Sequence, residues 1–169
     1  VATGATLVMP GADLSPGALA TLIEDEGVTV AAGVPTIWMG VLPELEGRNV
    51  SALRAIPCGG SAVPKALSEG YRKTTGLPIL QAWGMTEISP IGTNGRLKGK
   101  FRNLPAEERH DLVSTQGRAK FGVDLKIVDD EGRPQPHDGR TAGELLVRGA
   151  WVARAYFRDE EATRTSHDE

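Results

Sequence analysis

Short apolar runs alternate with helix-spaced segments over the first half of the chain, and each change of period carries its own punctuation. Ser15 stands before Pro16, and Leu19, Leu22 and Ile23 share one helical face as far as Gly27, which predicts a helix opening at Pro16 with Ser15 as its cap. Val28-Thr29-Val30-Ala31-Ala32 reads as a buried strand. After Pro35, Trp38, Val41, Leu42 and Leu45 return to helical spacing, and Pro43 is expected to end or kink that helix because its ring lacks an N–H. Leu53 to Pro57 and Pro78 to Trp83 predict two further buried strands. Between them a helix is expected to start at Pro64, bury Leu67 and Tyr71, and stop at Gly76.

Strands that alternate with helices in this way form parallel sheets. Residues 1–95 are therefore expected to be a parallel α/β layer. The pattern then changes. Between Pro90 and Gln116 the chain is Gly-rich and then charged, with Arg96, Lys98, Lys100 and Arg102 at alternating positions, and residues 96–116 are expected to be a connector. Farther on, Asp124 to Asp129 and Glu144 to Arg148 read as strands, with Asp129-Asp130-Glu131-Gly132-Arg133 supplying a turn. Residues 117–169 are expected to form a small β-rich module. The fold class expected is α/β followed by this second, smaller unit.

Composition narrows the classes. At 40% hydrophobic and 24% charged residues the chain can build a core, and neither disorder nor a membrane span is expected. A net charge of -3, from 19 basic against 22 acidic residues, gives no reason to expect nucleic acid. The single cysteine, Cys58, excludes an internal disulfide and a thiolate zinc cluster, and fits a reducing cytosol. His110, His137 and His167 are scattered among polar residues, and their spacing suggests neither a metal site nor a catalytic base.

Candidate chemistry gathers at two glycine turns, each placed where a predicted strand should end. Ligands of parallel α/β sheets collect at that edge. The first turn is Cys58-Gly59-Gly60-Ser61-Ala62-Val63-Pro64, whose backbone groups can serve a ligand or simply reverse the chain. The second is Gln81-Ala82-Trp83-Gly84-Met85-Thr86-Glu87. Trp83 offers a ring that could stack on a base, although a tryptophan at a strand end also serves as core. Gly84 permits close backbone approach. Thr86 offers a hydroxyl for a phosphate, and Glu87 a hard oxygen suited to magnesium, while both also suit a helix cap and a solvated first turn.

Taken together, Gly59-Gly60-Ser61 and Trp83-Gly84-Met85-Thr86-Glu87 resemble the adenylate-forming superfamily of acyl-CoA synthetases, luciferases and amino-acid-activating domains. Gly143-Glu144-Leu145-Leu146-Val147-Arg148-Gly149, followed by Tyr156-Phe157 and Glu161-Ala162-Thr163, agrees, and the resemblance covers nearly the whole chain. Trp83 and the run Phe121-Gly122-Val123-Asp124-Leu125-Lys126-Ile127-Val128-Asp129 look like the fatty-acid ligase branch.

The resemblance implies the rest of the expectation. The parent is an AMP-forming ligase that takes ATP, a carboxylic acid and coenzyme A as small-molecule substrates, with Mg2+ as metal. Gly59, Gly60, Ser61, Ala82, Trp83, Gly84, Met85 and Thr86 would bind the nucleotide; Trp38, Gly60 and Ser61 would flank the acyl group, with Trp38 equally readable as core; Thr86 and Glu87 would be catalytic, with Glu87 the magnesium ligand. The α/β layer would be part of the second αβ subdomain of such an enzyme, and the β-rich module part of its β-barrel.

Other implications concern the ends. Enzymes of this kind are several times longer, the chain opens at Val1 and stops in the charged run His167-Asp168-Glu169, so an internal fragment of a cytoplasmic enzyme, inactive by itself, is expected. Its phosphate loop would lie upstream, and its ribose-gripping aspartate and catalytic lysine downstream. Lys73-Thr74-Thr75-Gly76-Leu77-Pro78 imitates that loop, but Ile79 stands where its lysine belongs, and a helix end is expected there instead. Ala155 replaces a glycine common before the tyrosine of the third motif, with the bulky Arg154 ahead of it. An amino-acid-activating domain, a non-catalytic nucleotide-binding relic and a plain α/β domain remain alternatives.

Overall fold

The computed structural model describes residues 4–167; residues 1–3 and 168–169, at the two ends expected to be cut, lie outside the described residues. The chain forms two compact units. One takes the residues up to Trp83 together with Gly95–Gly117, and the other takes Gly84–Asn94 and the residues from Arg118 onward.

Helices of the first unit follow the apolar spacing. They are α1 (Pro16–Asp25), α2 (Pro35–Glu44), α3 (Lys65–Thr75) and α4 (Ala106–Val113). Ser15 sits at the cap position of α1, but its side chain makes no capping bond. Its own N–H donates instead to Asp13 Oδ1 at 2.9 Å. Pro43 lies in the last turn of α2, which runs only to Glu44, so the ring ends the helix rather than bending its middle. Gly76 closes α3 in the left-handed conformation, φ 78°, with its N–H on the Arg72 carbonyl at 3.0 Å. The phosphate-loop lookalike is thus a helix end.

The strands of this unit are β1 (Pro57–Cys58) and β2 (Leu80–Gly84), paired in parallel with Pro57 opposite Leu80 and Cys58 opposite Gln81. Both are shorter than the apolar runs that announce them. Val28 to Ala32, expected to be a strand, runs alongside residues 54–58 but is joined to them only by single bridges, Val30 to Ala55 and Gly33 to Cys58. The rungs explain why. Arg54 donates to Thr29 at 2.9 Å, Ala31 to Ala55 at 3.2 Å, Gly33 to Pro57 at 3.2 Å and Gly59 to Gly33 at 3.2 Å. The missing rung would be donated by residue 57 to Ala31, and Pro57 has no N–H to give. A parallel layer is present in which one proline divides the ladder.

Behind it lies one core, in which Ala20 and Ile23 of α1, Trp38, Val41 and Leu45 from α2 and its end, Ile56, Cys58, Leu67, Tyr71 and Ile79 are buried together. The Tyr71 hydroxyl donates to the Trp38 carbonyl at 2.9 Å, and the two rings meet edge to face at 6.0 Å. Where a connector was expected, α4 adds His110 and Val113 to the buried residues. Its remaining positions are polar or exposed, so no apolar stripe announced it. Lys65 pairs with Asp111 at 2.5 Å, and His110 Nε2 lies 3.4 Å from Ser68 Oγ on α3.

The second unit contains β3 (Ile91–Asn94), β4 (Arg118–Ala119), β5 (Val123–Val128), β6 (Glu144–Gly149) and α5 (Glu160–Ser166). β3 pairs antiparallel with β4, and β5 with β6 in a two-stranded sheet whose register runs from Val123 opposite Gly149 to Val128 opposite Glu144. The turn after β5 is organised by Asp129, whose Oδ1 accepts from the N–H groups of Glu131 and Arg133 at 3.1 and 2.8 Å. Asp159 caps α5 by accepting from the Ala162 N–H at 2.9 Å. The chain is thus α/β with a small antiparallel sheet, as expected. No helix among the described residues is long and apolar enough to cross a membrane.

Candidate functional site

In the first unit the candidate residues lie at or just beyond the ends of adjacent parallel strands. Gly59, Gly60 and Ser61 come directly after β1, and Ala82 and Trp83 lie in β2 beside it, just before its end at Gly84. Gly59 is required by contact: a Cβ there would stand 2.8 Å from the Ala82 carbonyl oxygen. Gly60 is required by conformation, with φ 85°, and its missing side chain would meet Val34 Cγ1 at 3.2 Å. The turn is therefore pressed between the end of β2 and the segment leading into α2, with Ser61 exposed and Trp83 partly buried.

Trp38 lies elsewhere. It is 4% exposed and belongs to the core, because α2 places it on the same face as Val41 and Leu45. Its indole Nε1 is buried with no hydrogen-bond partner among the described residues. Val34, which is exposed, brings its side chain against the glycine turn beside the Gly33 carbonyl that takes the Gly59 N–H.

A brace that the sequence did not announce holds the turn from behind. Gln81 is buried on β2; its Oε1 accepts from the Val63 N–H at 3.4 Å and from Gln116 Nε2 at 3.0 Å, and its Nε2 donates to the Ser114 carbonyl. A glutamine within an apolar run was the available signal. Its neighbour Cys58 is equally buried, and burial pushes that thiol up to about 11.

Gly84, Met85, Thr86 and Glu87 belong to the second unit. Gly84 tolerates no side chain, since a Cβ would fall 1.8 Å from the Pro90 carbonyl oxygen. That carbonyl accepts the Met85 N–H at 2.9 Å, and a short 3-10 turn over Thr86–Ile88 follows. Met85 and Thr86 are exposed, Ile88 is buried, and Glu87 is half-buried between them.

Glu87 is the best-fixed of these residues. The Tyr156 hydroxyl donates to its Oε1 at 2.6 Å, and the Ala153 N–H donates to its backbone carbonyl at 2.7 Å. The Tyr156 hydrogen bond, then the residue's own N–H and the nearby His167, hold the carboxyl below the usual carboxylate range. The same hydrogen bond to Glu87, then burial and the carboxylate's charge, raise the Tyr156 phenol, which stays a donor.

Tyr156 is set in place by its own strap. Its N–H donates to Thr163 Oγ1 at 2.9 Å, and its ring meets His167 edge to face at 5.9 Å. His167 Nε2 donates to the Ala153 carbonyl at 2.9 Å. Ala155 is not among the residues with positive φ, so its backbone does not call for glycine; Arg158 is left-handed at φ 54°. An open cavity of about 610 Å³ has Glu87, Tyr156, His167, Lys126, Leu145 and Val147 among its lining residues. The third motif marked Tyr156, but nothing in its spacing marked Glu87 as its partner.

The chain belongs to the AMP-binding enzyme family, which matches residues 1–157. It is 47% identical over 94% of its length to a 3-methylmercaptopropionyl-CoA ligase of Ruegeria lacuscaerulensis, of which it covers 30%. It is 40% identical over 96% of its length to a medium-chain-fatty-acid–CoA ligase of Ectopseudomonas oleovorans, again covering 30% of that protein. Among solved structures, the N-terminal domain of FACL13 from Mycobacterium tuberculosis superimposes with a TM-score of 0.75 at 25% identity, over 95% of this chain and 38% of that one. The chain thus spans about a third of the length of these curated relatives.

Proposed function

We propose that this chain is the middle of an AMP-forming acyl-CoA ligase and carries part of its adenylating site. The observation that supports this most is the placement of Gly59-Gly60-Ser61 just after β1 and of Ala82-Trp83 in the last residues of the parallel strand β2, the edge at which such sheets take ligands. The names of the relatives supply the reaction class.

In this reading Gly59, Gly60, Ser61 and Ala82 wall the nucleotide with backbone groups, Trp83 stacks on adenine, and Gly84 and Met85 carry the chain past it. The substrate carboxylate attacks the α-phosphorus of ATP, pyrophosphate leaves, and the thiol of coenzyme A then takes the acyl group from AMP. Thr86 donates its hydroxyl to the α-phosphate and stabilises charge as it develops. Val34, with Trp38 packed in the core behind it, flanks the acyl side together with Gly60 and Ser61.

The donor set fits magnesium. Glu87 is a hard oxygen ligand kept ionised by Tyr156, and the described residues hold no cluster of three or more His, Cys, Asp or Glu that would build a cage. Magnesium needs only one or two carboxylates beside substrate phosphates and water. When bound it neutralises phosphate charge.

A fatty acid is the proposed acyl donor. A short sulfur-bearing acid is the second reading, favoured by the 47% relative. Rates with octanoate and with 3-methylmercaptopropionate, each read as kcat/KM, separate the two. In the full-length enzyme, Glu87→Ala should slow ATP–pyrophosphate exchange by about 100-fold or more, whereas Trp83→Ala should chiefly raise the ATP concentration required, by roughly tenfold for a lost stacking partner. The 169-residue chain alone is expected to show no exchange above the Glu87→Ala control. Unchanged exchange in both full-length variants would remove the site assignment.

A further inference from the structure

A carboxylate that holds a cation must be aimed, and Glu87 is aimed by its neighbours. A glutamate carboxylate on a short turn has three side-chain torsions ahead of its oxygens and would spread over several rotamers. Here it does not stand alone. Its backbone carbonyl is held by Ala153 at 2.7 Å and its Oε1 by the Tyr156 hydroxyl at 2.6 Å, so both ends of the side chain are pinned to one segment. That segment is itself closed on three sides: Tyr156 N–H to Thr163 Oγ1 at 2.9 Å, Thr163 Oγ1 to the Asp159 carbonyl at 2.7 Å, and His167 Nε2 to the Ala153 carbonyl at 2.9 Å.

We infer that Tyr156 is a positioning residue for Glu87, fixing one carboxylate oxygen so that the other is presented to a hydrated divalent cation. This rests on the proposed role of Glu87 as metal ligand. The chemistry of the pair suits the task. A carboxylate has about four lone-pair sites and a phenol supplies one donor, so Tyr156 occupies Oε1 without exhausting the group. A hydrogen bond to an ionised acceptor is short and strongly directional. Partners of this kind, one bond removed from a metal, typically change metal affinity 10- to 100-fold when lost.

The experiment uses the full-length enzyme that contains this chain, with ATP present and Mn2+ as the probe, free Mn2+ being counted by electron paramagnetic resonance. Tyr156→Phe removes only the hydroxyl and is expected to weaken Mn2+ binding about tenfold. Thr163→Val loosens the strap while leaving the hydroxyl in place, and is expected to change binding less than threefold. Glu87→Gln should weaken it more than Tyr156→Phe does. Binding by Tyr156→Phe within twofold of wild type, alongside a weakened Glu87→Gln, would overturn the positioning role and leave Glu87 as ligand. Equal weakening in Tyr156→Phe and Thr163→Val would also overturn it, since the strap's fold rather than the hydroxyl would then set the affinity. Wild-type binding by Glu87→Gln would sink the ligand reading of Glu87 itself.

Discussion

Trp38 shows how one side chain divides its polar and apolar halves. Its ring is in the core, its carbonyl takes the Tyr71 hydroxyl, and its indole N–H finds nothing to bond among the described residues. A buried donor without a partner costs free energy that the burial of the ring must offset. Trp38→Phe gives up no hydrogen bond and should therefore cost only about 1 kcal/mol, while Trp38→Ala should cost about 3 to 5 kcal/mol through the cavity it opens. Urea unfolding of the chain distinguishes the two, and a Phe variant as damaged as the Ala variant would contradict this account. The sequence carried the chemistry of this residue but not its direction: helical spacing with Val41 and Leu45 was visible, yet an aromatic beside a proline reads equally well as pocket wall or core until the packing is seen. Glu87 was legible for the opposite reason, because its residue type suffices to suggest a cation. Its tether to Tyr156 was hidden by the long separation in sequence between two partners with no shared periodicity.

Elements were easier to read where they end in a residue with one conformational habit. Pro16, Pro35 and Gly76 each mark a helix boundary within a residue of where it falls. Strands were overdrawn, since an apolar run reports burial and not how many rungs its neighbours can complete. Pro57 is the clearest instance, leaving the Ala31 carbonyl without a donor from the neighbouring strand. Pro57→Ala would supply one. The hydrogen bond gained contributes about 1 kcal/mol, and the added freedom of the unfolded chain takes back about 0.4 to 1, so the stability should scarcely move. The amide that Pro57→Ala introduces should nevertheless exchange with solvent as slowly as those of Gly33 and Gly59, which a hydrogen-exchange measurement would show. Fast exchange at that amide would mean that something other than the missing N–H divides the ladder. α4 was missed for a simpler reason: with only His110 and Val113 buried, it has no stripe to see.

At the scale of the whole molecule, the change from helix-and-strand alternation to strands alone was visible in the sequence, and it corresponds to the change from a parallel layer to antiparallel pairs. The exchange of segments between the units was not. Residues 95–117 belong with the first unit and residues 84–94 with the second, an arrangement that contacts decide and that no local pattern encodes. Cys58 turns the first unit into its own timekeeper. The thiol is sealed under the parallel layer, its ionisation is pushed up to about 11, and no second cysteine competes for reagent. An alkylating agent at neutral pH can therefore react only during excursions that expose the end of β1, and the rate at saturating reagent equals the frequency of those excursions. Labelling that instead proceeds at the speed of a free thiol would show that the layer does not close over Cys58 in solution.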